Sequence, residues 1–186
     1  MAPAWSLTSL LISPDPTYFE YCPSSCESGL SWLHEFPNLV LVRTFSKAYG
    51  LAGVRVGYSV SHLEVADALN RIRPAFNVSN VAQAGATAAL ADQVHVQKAA
   101  RLVVDERDRV AGALRALRIA VAPSAGNFLL IEVGAASQIY EQLLRGGVIV
   151  RPVAGYGLPK HLRVSIGLPE QNDRLLQLLE SVLRPA

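Results

Sequence analysis

Cysteine is scarce in this chain, and neither sign of charge dominates it. Two cysteines occur, Cys22 and Cys26, four positions apart. No second pair exists to complete a zinc site, and His34, His62, His95 and His161 are scattered with no HExxH among them. A metal centre is therefore not expected, and the cysteines fit a reducing, cytoplasmic setting. The net charge is +2, with no run of five basic residues. That leaves out the dense cationic face used against nucleic acid or an anionic membrane. No stretch of eighteen apolar residues is present, so no transmembrane helix is expected. The opening MAPAWSLTSLLI lacks the basic start of a secretory leader, and its apolar run is short. What the chain does have is core-forming material: 51% of its 186 residues are hydrophobic against 17% charged, a globular balance rather than a disordered one.

Strand-like runs fall at 7–12 (LTSLLI), 39–44 (LVLVRT), 55–60 (RVGYSV), 128–133 (FLLIEV), 148–153 (VIVRPV) and 162–166 (LRVSI). Several are continuously apolar, as suits strands covered on both faces. Helical patterns separate them. Ser61 is expected to cap a run to about Arg71, stopped by Pro74. Ser79 precedes an alanine-rich run, and 93–117 is a long amphipathic pattern with Ala99, Val103, Val110, Leu114 and Leu117 on one face. Asp105 and Arg109 stand at i,i+4 spacing on its polar side. Ser137 opens a further helix that Gly146-Gly147 ends, and Pro169 stands near the start of the last. The expected organisation is the end of an α/β layer structure over 1–95, a bridging helix over 96–118, and a small α+β domain over 119–186.

The chemistry concentrates at 44–58, TFSKAYGLAGVRVGY. A lysine among small residues can lose its proton through burial or a nearby cation and then form a Schiff base with a carbonyl. Ser46 offers a hydroxyl beside Lys47, and Arg55 a planar fork for a phosphate. A phosphorylated aldehyde cofactor suits both features, and pyridoxal phosphate is one. For an isolated Ser-Lys pair, a solvated loop lysine is the ordinary explanation.

The longer string decides more. SK followed by G-L-A-G-x-R-x-G-Y resembles the cofactor-lysine signature of class I/II aminotransferases, of fold type I. Within them it most resembles the histidinol-phosphate aminotransferases, a likeness that continues through RPAFNVSNVAQAGATAAL (73–90) and VIVRPVAGYGLPKHLRVSIGLPEQNDRLL (148–176). The resemblance implies an α/β chain: a C-terminal part of the large mixed-sheet domain of fold type I, plus a small α+β C-terminal domain. It implies pyridoxal 5′-phosphate as cofactor, with Lys47 as the Schiff-base lysine and the acid/base of proton transfer. Ser46 and Arg55 match the phosphate-holding positions, with Thr44 assisting. Asp15 and Tyr18, in PDPTYFEY, match an Asp-x-x-Tyr whose Asp pairs with the pyridine nitrogen and whose Tyr hydrogen-bonds the ring hydroxyl. On spacing alone, an Asx-type turn and a packed aromatic explain that pair as well. Arg163 matches the arginine that clamps the substrate carboxylate, and Arg151 a position that helps bind a substrate phosphate.

The implied reaction is transamination of histidinol phosphate with 2-oxoglutarate in histidine biosynthesis. The substrates would be small molecules: an amino acid or its phosphate ester, and a 2-oxo acid. The implied assembly is a homodimer or a pairing with a longer subunit, without nucleic acid or membrane. Family chains are roughly twice this length, as two domains require, and nothing here corresponds to their N-terminal half. Pro16 stands where an acidic residue is usual. The expectation is a truncated form with an exposed sheet edge, poorly soluble or obligately associated. A decarboxylase of the threonine-phosphate type, or a silent fragment pairing with a full-length subunit, are the competing readings.

Overall fold

A computed structural model describes residues 11–13, 15–22 and 29–183. Residues 7–10 of the first expected strand, Pro14 and Cys26 lie outside the described residues, as does the side chain of Asp15. The chain divides into two compact units, Met1–Ala99 and Ala100–Ala186.

The first unit carries a three-stranded sheet in the order β1 (Leu11–Ser13), β2 (Leu39–Thr44), β3 (Gly57–Ser61). β1 runs parallel to β2, and β3 antiparallel to it. Leu39, Val40 and Leu41 of β2 are buried, which fits a run that is apolar at every position. β3 begins two residues later than the pattern 55–60 suggests, so Arg55 precedes the strand instead of opening it. Ser61 does not cap a helix. It is the last residue of β3, paired with Val40, and α1 (Leu63–Ile72) starts after His62. Ser79 does cap α2 (Asn80–Ala91), its hydroxyl accepting from the Ala82 N–H at 3.2 Å.

α3 runs from Gln93 to Ala116 and contains the division between the units. In the second unit, β4 (Ala120–Val121), β5 (Phe128–Glu132), β6 (Arg151–Pro152) and β7 (His161–Ser165) form an antiparallel sheet ordered β4-β5-β7-β6. The two-residue β4 is not signalled by the sequence pattern. β6 is far shorter than the run 148–153, because Pro152 has no N–H to continue an edge ladder. Leu129, Ile131, Leu162 and Val164 point to one face. There they meet Val110 and Leu114 of α3, Leu143 of α4 (Ala136–Arg145), and Leu175 and Leu179 of α5 (Pro169–Leu183).

Polar groups fasten the same unit. The Glu106 carboxylate accepts from Arg109 Nε and Nη2 at 2.8 and 2.7 Å and from Asn172 Nδ2 at 2.8 Å. The Asn172 amide also brackets Gly167, accepting from its N–H at 2.9 Å and donating to its carbonyl at 3.0 Å. Arg109 therefore pairs with Glu106, and through Nη1 with Asp173 at 2.8 Å, rather than with the expected Asp105. The Arg109 guanidinium, and then the Asn172 amide, hold the Glu106 carboxyl below its ordinary value.

Candidate active site

The segment joining β2 to β3 is an arch held by its own backbone. Phe45 is buried at its root. The Phe45 N–H donates to the Val56 carbonyl at 3.3 Å, and the Phe45 carbonyl accepts from the Leu51 N–H at 2.9 Å. Thr44 Oγ1 accepts from the Ser46 N–H at 3.1 Å. The Gly50 N–H closes a turn onto the Lys47 carbonyl at 2.8 Å, and Gly50 takes φ +70°, which glycine adopts without a Cβ penalty. Lys47 sits in that turn, half-buried, with no salt bridge among the described residues. The Phe45 ring packs 4.9 Å from Tyr49 and 5.8 Å from Tyr58, centroid to centroid, so the arch rests on an aromatic base.

Arg55 has φ +55°, the left-handed region that a non-glycine residue seldom occupies. It follows a short 3-10 turn, Ala52–Val54, and its Nη1 donates to the Ala52 carbonyl at 2.8 Å. The remaining N–H groups of an exposed guanidinium stay available to an anion. Gly57, next on the chain but one, has no room for a side chain: a Cβ there would lie 2.6 Å from the Arg43 carbonyl oxygen. Phe45 is the part of the arch that the motif does not include, whereas Gly57 is within it. A glycine inside a strand pattern is the signal for such a close backbone approach.

Asp15 and Tyr18 lie in a 3-10 segment, Asp15–Tyr21, that follows β1. Tyr18 departs from helical geometry, with φ −123°, and its ring lies 6.4 Å from that of Tyr21. From β2, the Arg43 guanidinium covers the Phe19 ring at 3.9 Å. Burial pushes the Glu20 carboxyl above its ordinary value despite Arg43, and pushes Tyr21 up to about 12.

In the second unit, Arg151 and Arg163 are direct cross-strand partners on β6 and β7. Arg163 Nε is buried without a hydrogen-bond partner, and its guanidinium stands 5.2 Å from the Phe128 ring centroid. Arg151 is exposed and donates from Nη2 to Tyr156 Oη at 3.1 Å. Like charges placed opposite each other are unfavourable unless an anion lies between them. The geometry therefore suits a carboxylate or phosphate. Two residues from Arg163, His161 Nδ1 is also buried without a partner, a feature the sequence gives no sign of. Among the described residues, no group of three His, Cys, Asp or Glu could hold a metal ion, and no helix is long and apolar enough to cross a membrane.

Comparison with known proteins bears on the whole chain. The histidinol-phosphate aminotransferase 1 of Nitrosococcus oceani is 46% identical over 176 residues, which is 94% of this chain and 48% of the relative. That of Thiobacillus denitrificans is 49% identical, over 95% of this chain and 46% of the relative. The chain thus spans about half the length of the curated relatives it matches. The crystal structure of histidinol-phosphate aminotransferase from Sinorhizobium meliloti, in complex with pyridoxal-5′-phosphate, superposes with a TM-score of 0.85 at 33% identity. It covers 96% of this chain and 50% of its own. The architecture is accordingly a part of the fold type I α/β structure. The family model for aminotransferase class I and II matches residues 9–179, and the chain belongs to that family.

Proposed function

We propose that this chain carries the lysine-bearing part of a pyridoxal-phosphate-dependent aminotransferase, acting on histidinol phosphate with 2-oxoglutarate as amino acceptor. The observation that carries the reading is the closed arch between β2 and β3. It carries a half-buried Lys47, without a salt bridge among the described residues, one residue after Ser46 and eight before Arg55. An amine, a hydroxyl and a guanidinium are the donor set that a phosphorylated aldehyde calls for, so the residues present fit the cofactor.

Ser46, Arg55 and Thr44 would hold its phosphate, Asp15 its ring nitrogen and Tyr18 its ring hydroxyl. Bound, it supplies an electron-withdrawing ring that accepts the electron pair left when a substrate Cα–H bond breaks. Lys47 Nζ would move that proton between the substrate Cα and the C4′ carbon of the cofactor. Arg163 would clamp a substrate carboxylate, where planar two-point geometry suits a guanidinium, and Arg151 would help to bind a substrate phosphate. The reading includes a cytoplasmic assembly, as a homodimer or with a longer subunit.

The test is reductive trapping. The chain is incubated with pyridoxal phosphate, reduced with borohydride, and peptide-mapped beside Lys47→Ala. One label per chain at Lys47, absent from the variant, is expected. Equal labelling of the variant would mean that surface lysines react and the arch has no special affinity. If trapping succeeds, release of carbon dioxide from an amino-acid phosphate would move the reaction class from transamination to decarboxylation.

A further inference from the structure

The second unit keeps two charged residues out of solvent that the proposed chemistry does not use. Glu106 and Arg107 are neighbours on α3 and are 7% and 6% exposed. Burying an ionised group is costly unless its hydrogen bonds are made, and apolar residues of like volume often serve stability as well. Both residues reach the same end of the β5–β7 ladder. Arg107 Nη1 donates to the Gly126 carbonyl at 3.2 Å, two residues before β5, while its Nε lies 3.5 Å from the exposed Asp108 carboxylate. Glu106 reaches the other strand through Asn172, whose amide holds both backbone groups of Gly167, two residues after β7.

The two fastenings close on one register position. Phe128 opens β5 and stands opposite Ser165, the last residue of β7. The Ile166 N–H donates to the Asn127 carbonyl at 2.9 Å, so the strands stay joined beyond that pair. Ser124 Oγ donates to the Phe128 carbonyl at 2.6 Å and accepts from the Gly126 N–H at 3.1 Å, which folds 124–128 into a tight turn. Gly126 thus has its N–H taken by Ser124 and its carbonyl by Arg107. Arg163 alternates with the core residues Leu162 and Val164, so it points to the other face of the sheet. There Phe128 is its diagonal neighbour, and the Arg163 guanidinium lies over that ring at 5.2 Å. With no bond at Nε to aim it, the Arg163 fork takes its place from where the ring sits.

We propose that Arg107, together with Glu106 acting through Asn172, positions Arg163. The two residues fix the start of β5 and the end of β7, and with them the Phe128 ring on which the guanidinium rests. Neither touches substrate, and both are positioning residues. A planar fork loses its two-point match to a carboxylate when it is displaced by about half an ångström, which gives two buried charges a use beyond stability. The assignment rests on the reading of Arg163 as an oxyanion ligand.

The test uses the full 186-residue chain and two magnetic-resonance readouts at Arg163. One is the ring-current shift that Phe128 imposes on the Arg163 side-chain protons, which needs no ligand. The other is the response of the Arg163 Nε–H signal to added 2-oxoglutarate, which gives a dissociation constant. Arg107→Met removes the bond to Gly126 at similar side-chain length. It should diminish the ring-current shift and weaken 2-oxoglutarate about threefold or more. Arg107→Lys keeps a donor for the Gly126 carbonyl and should recover most of both. Asn172→Ser cuts the link from Glu106 to Gly167 independently of Arg107, and should act as Arg107→Met does. Leu179→Ala lowers stability from the core of the same unit without cutting either fastening, and in the folded chain should leave both readouts unchanged. Three results overturn the assignment. These are Arg107→Met and Asn172→Ser with both readouts at their unsubstituted values, Arg107→Lys no better than Arg107→Met, or equal damage from Leu179→Ala. A ring-current shift without any response to 2-oxoglutarate in the unsubstituted chain would overturn the oxyanion reading of Arg163, and the assignment with it. Failure of the assignment alone leaves that response in place, so the two failures are separable.

Discussion

In the second unit, the inward residues of β5 and β7, Leu129, Ile131, Leu162 and Val164, meet α3, α4 and α5, and every one of them is at most 2% exposed. In the first unit, Leu39, Val40 and Leu41 of β2 and Phe45 at the root of the lysine arch are buried, while α1 buries nothing. The two units draw on similar kinds of residue, yet among the described residues α4 and α5 bury apolar side chains where α1 buries none. A core is thus a matter of partners as much as of composition. A helix stays amphipathic whether or not its layer is present, but it contributes burial energy only when the layer is there.

The sharpest way to break this comparison is to truncate matched leucines. Leu162→Ala, at a fully buried site, should cost about 2–5 kcal/mol. Leu63→Ala should stay within about 0.5 kcal/mol. Urea unfolding followed by circular dichroism, at low protein concentration, measures both. A large loss at Leu63 would show that α1 is already covered.

The polar contrast is smaller. Asn172→Ala strips a buried partner from Glu106 and both bonds from Gly167, and should cost roughly 1–3 kcal/mol. Arg71→Ala removes an exposed i,i+4 pair with Asp67 on α1 and should cost at most about 0.5 kcal/mol. The same unfolding curves decide. Equal costs would mean that the Glu106 cluster does not fasten the second unit.

The smallest effect is in pH dependence, and its sign differs between the units. Glu106 is held below its ordinary value, so its contribution is present above the usual carboxylate value and is lost as pH falls through the lowered one. Glu20 is raised, so its contribution is present below the usual value and is lost as pH rises through the raised one. Acidification from neutrality should therefore loosen amides around Gly167 and tighten those around Glu20, read by hydrogen exchange corrected for intrinsic rate. Glu106→Gln should flatten the first response. Parallel responses in both units would remove the distinction.

Much of this was legible in the residues. The apolar runs at 128–133 and 162–166 announced two strands, found at Phe128–Glu132 and His161–Ser165, and the arch was readable because Lys47, Gly50, Arg55 and Gly57 combine chemistry with turn residues. Other features depended on partners distant in sequence. Arg109 passed over Asp105 because Glu106 and, on α5, Asp173 both lay within reach. Ser61 looked like a cap until strand pairing with Val40 claimed it. The left-handed Arg55 and the orphaned nitrogens of His161 and Arg163 follow from packing, which no periodicity encodes.

The arch has a consequence for the order of folding. Its fastenings, Phe45 to Val56, Leu51 to Phe45 and Gly50 to Lys47, each span no more than eleven residues. Loops that short close in well under a microsecond and at small entropic cost. The parallel pairing of β1 with β2 must wait for a far longer stretch of chain to be gathered in. On refolding, Lys47 should reach its turn before the sheet around it is assembled, as a local event that needs little of the surrounding architecture.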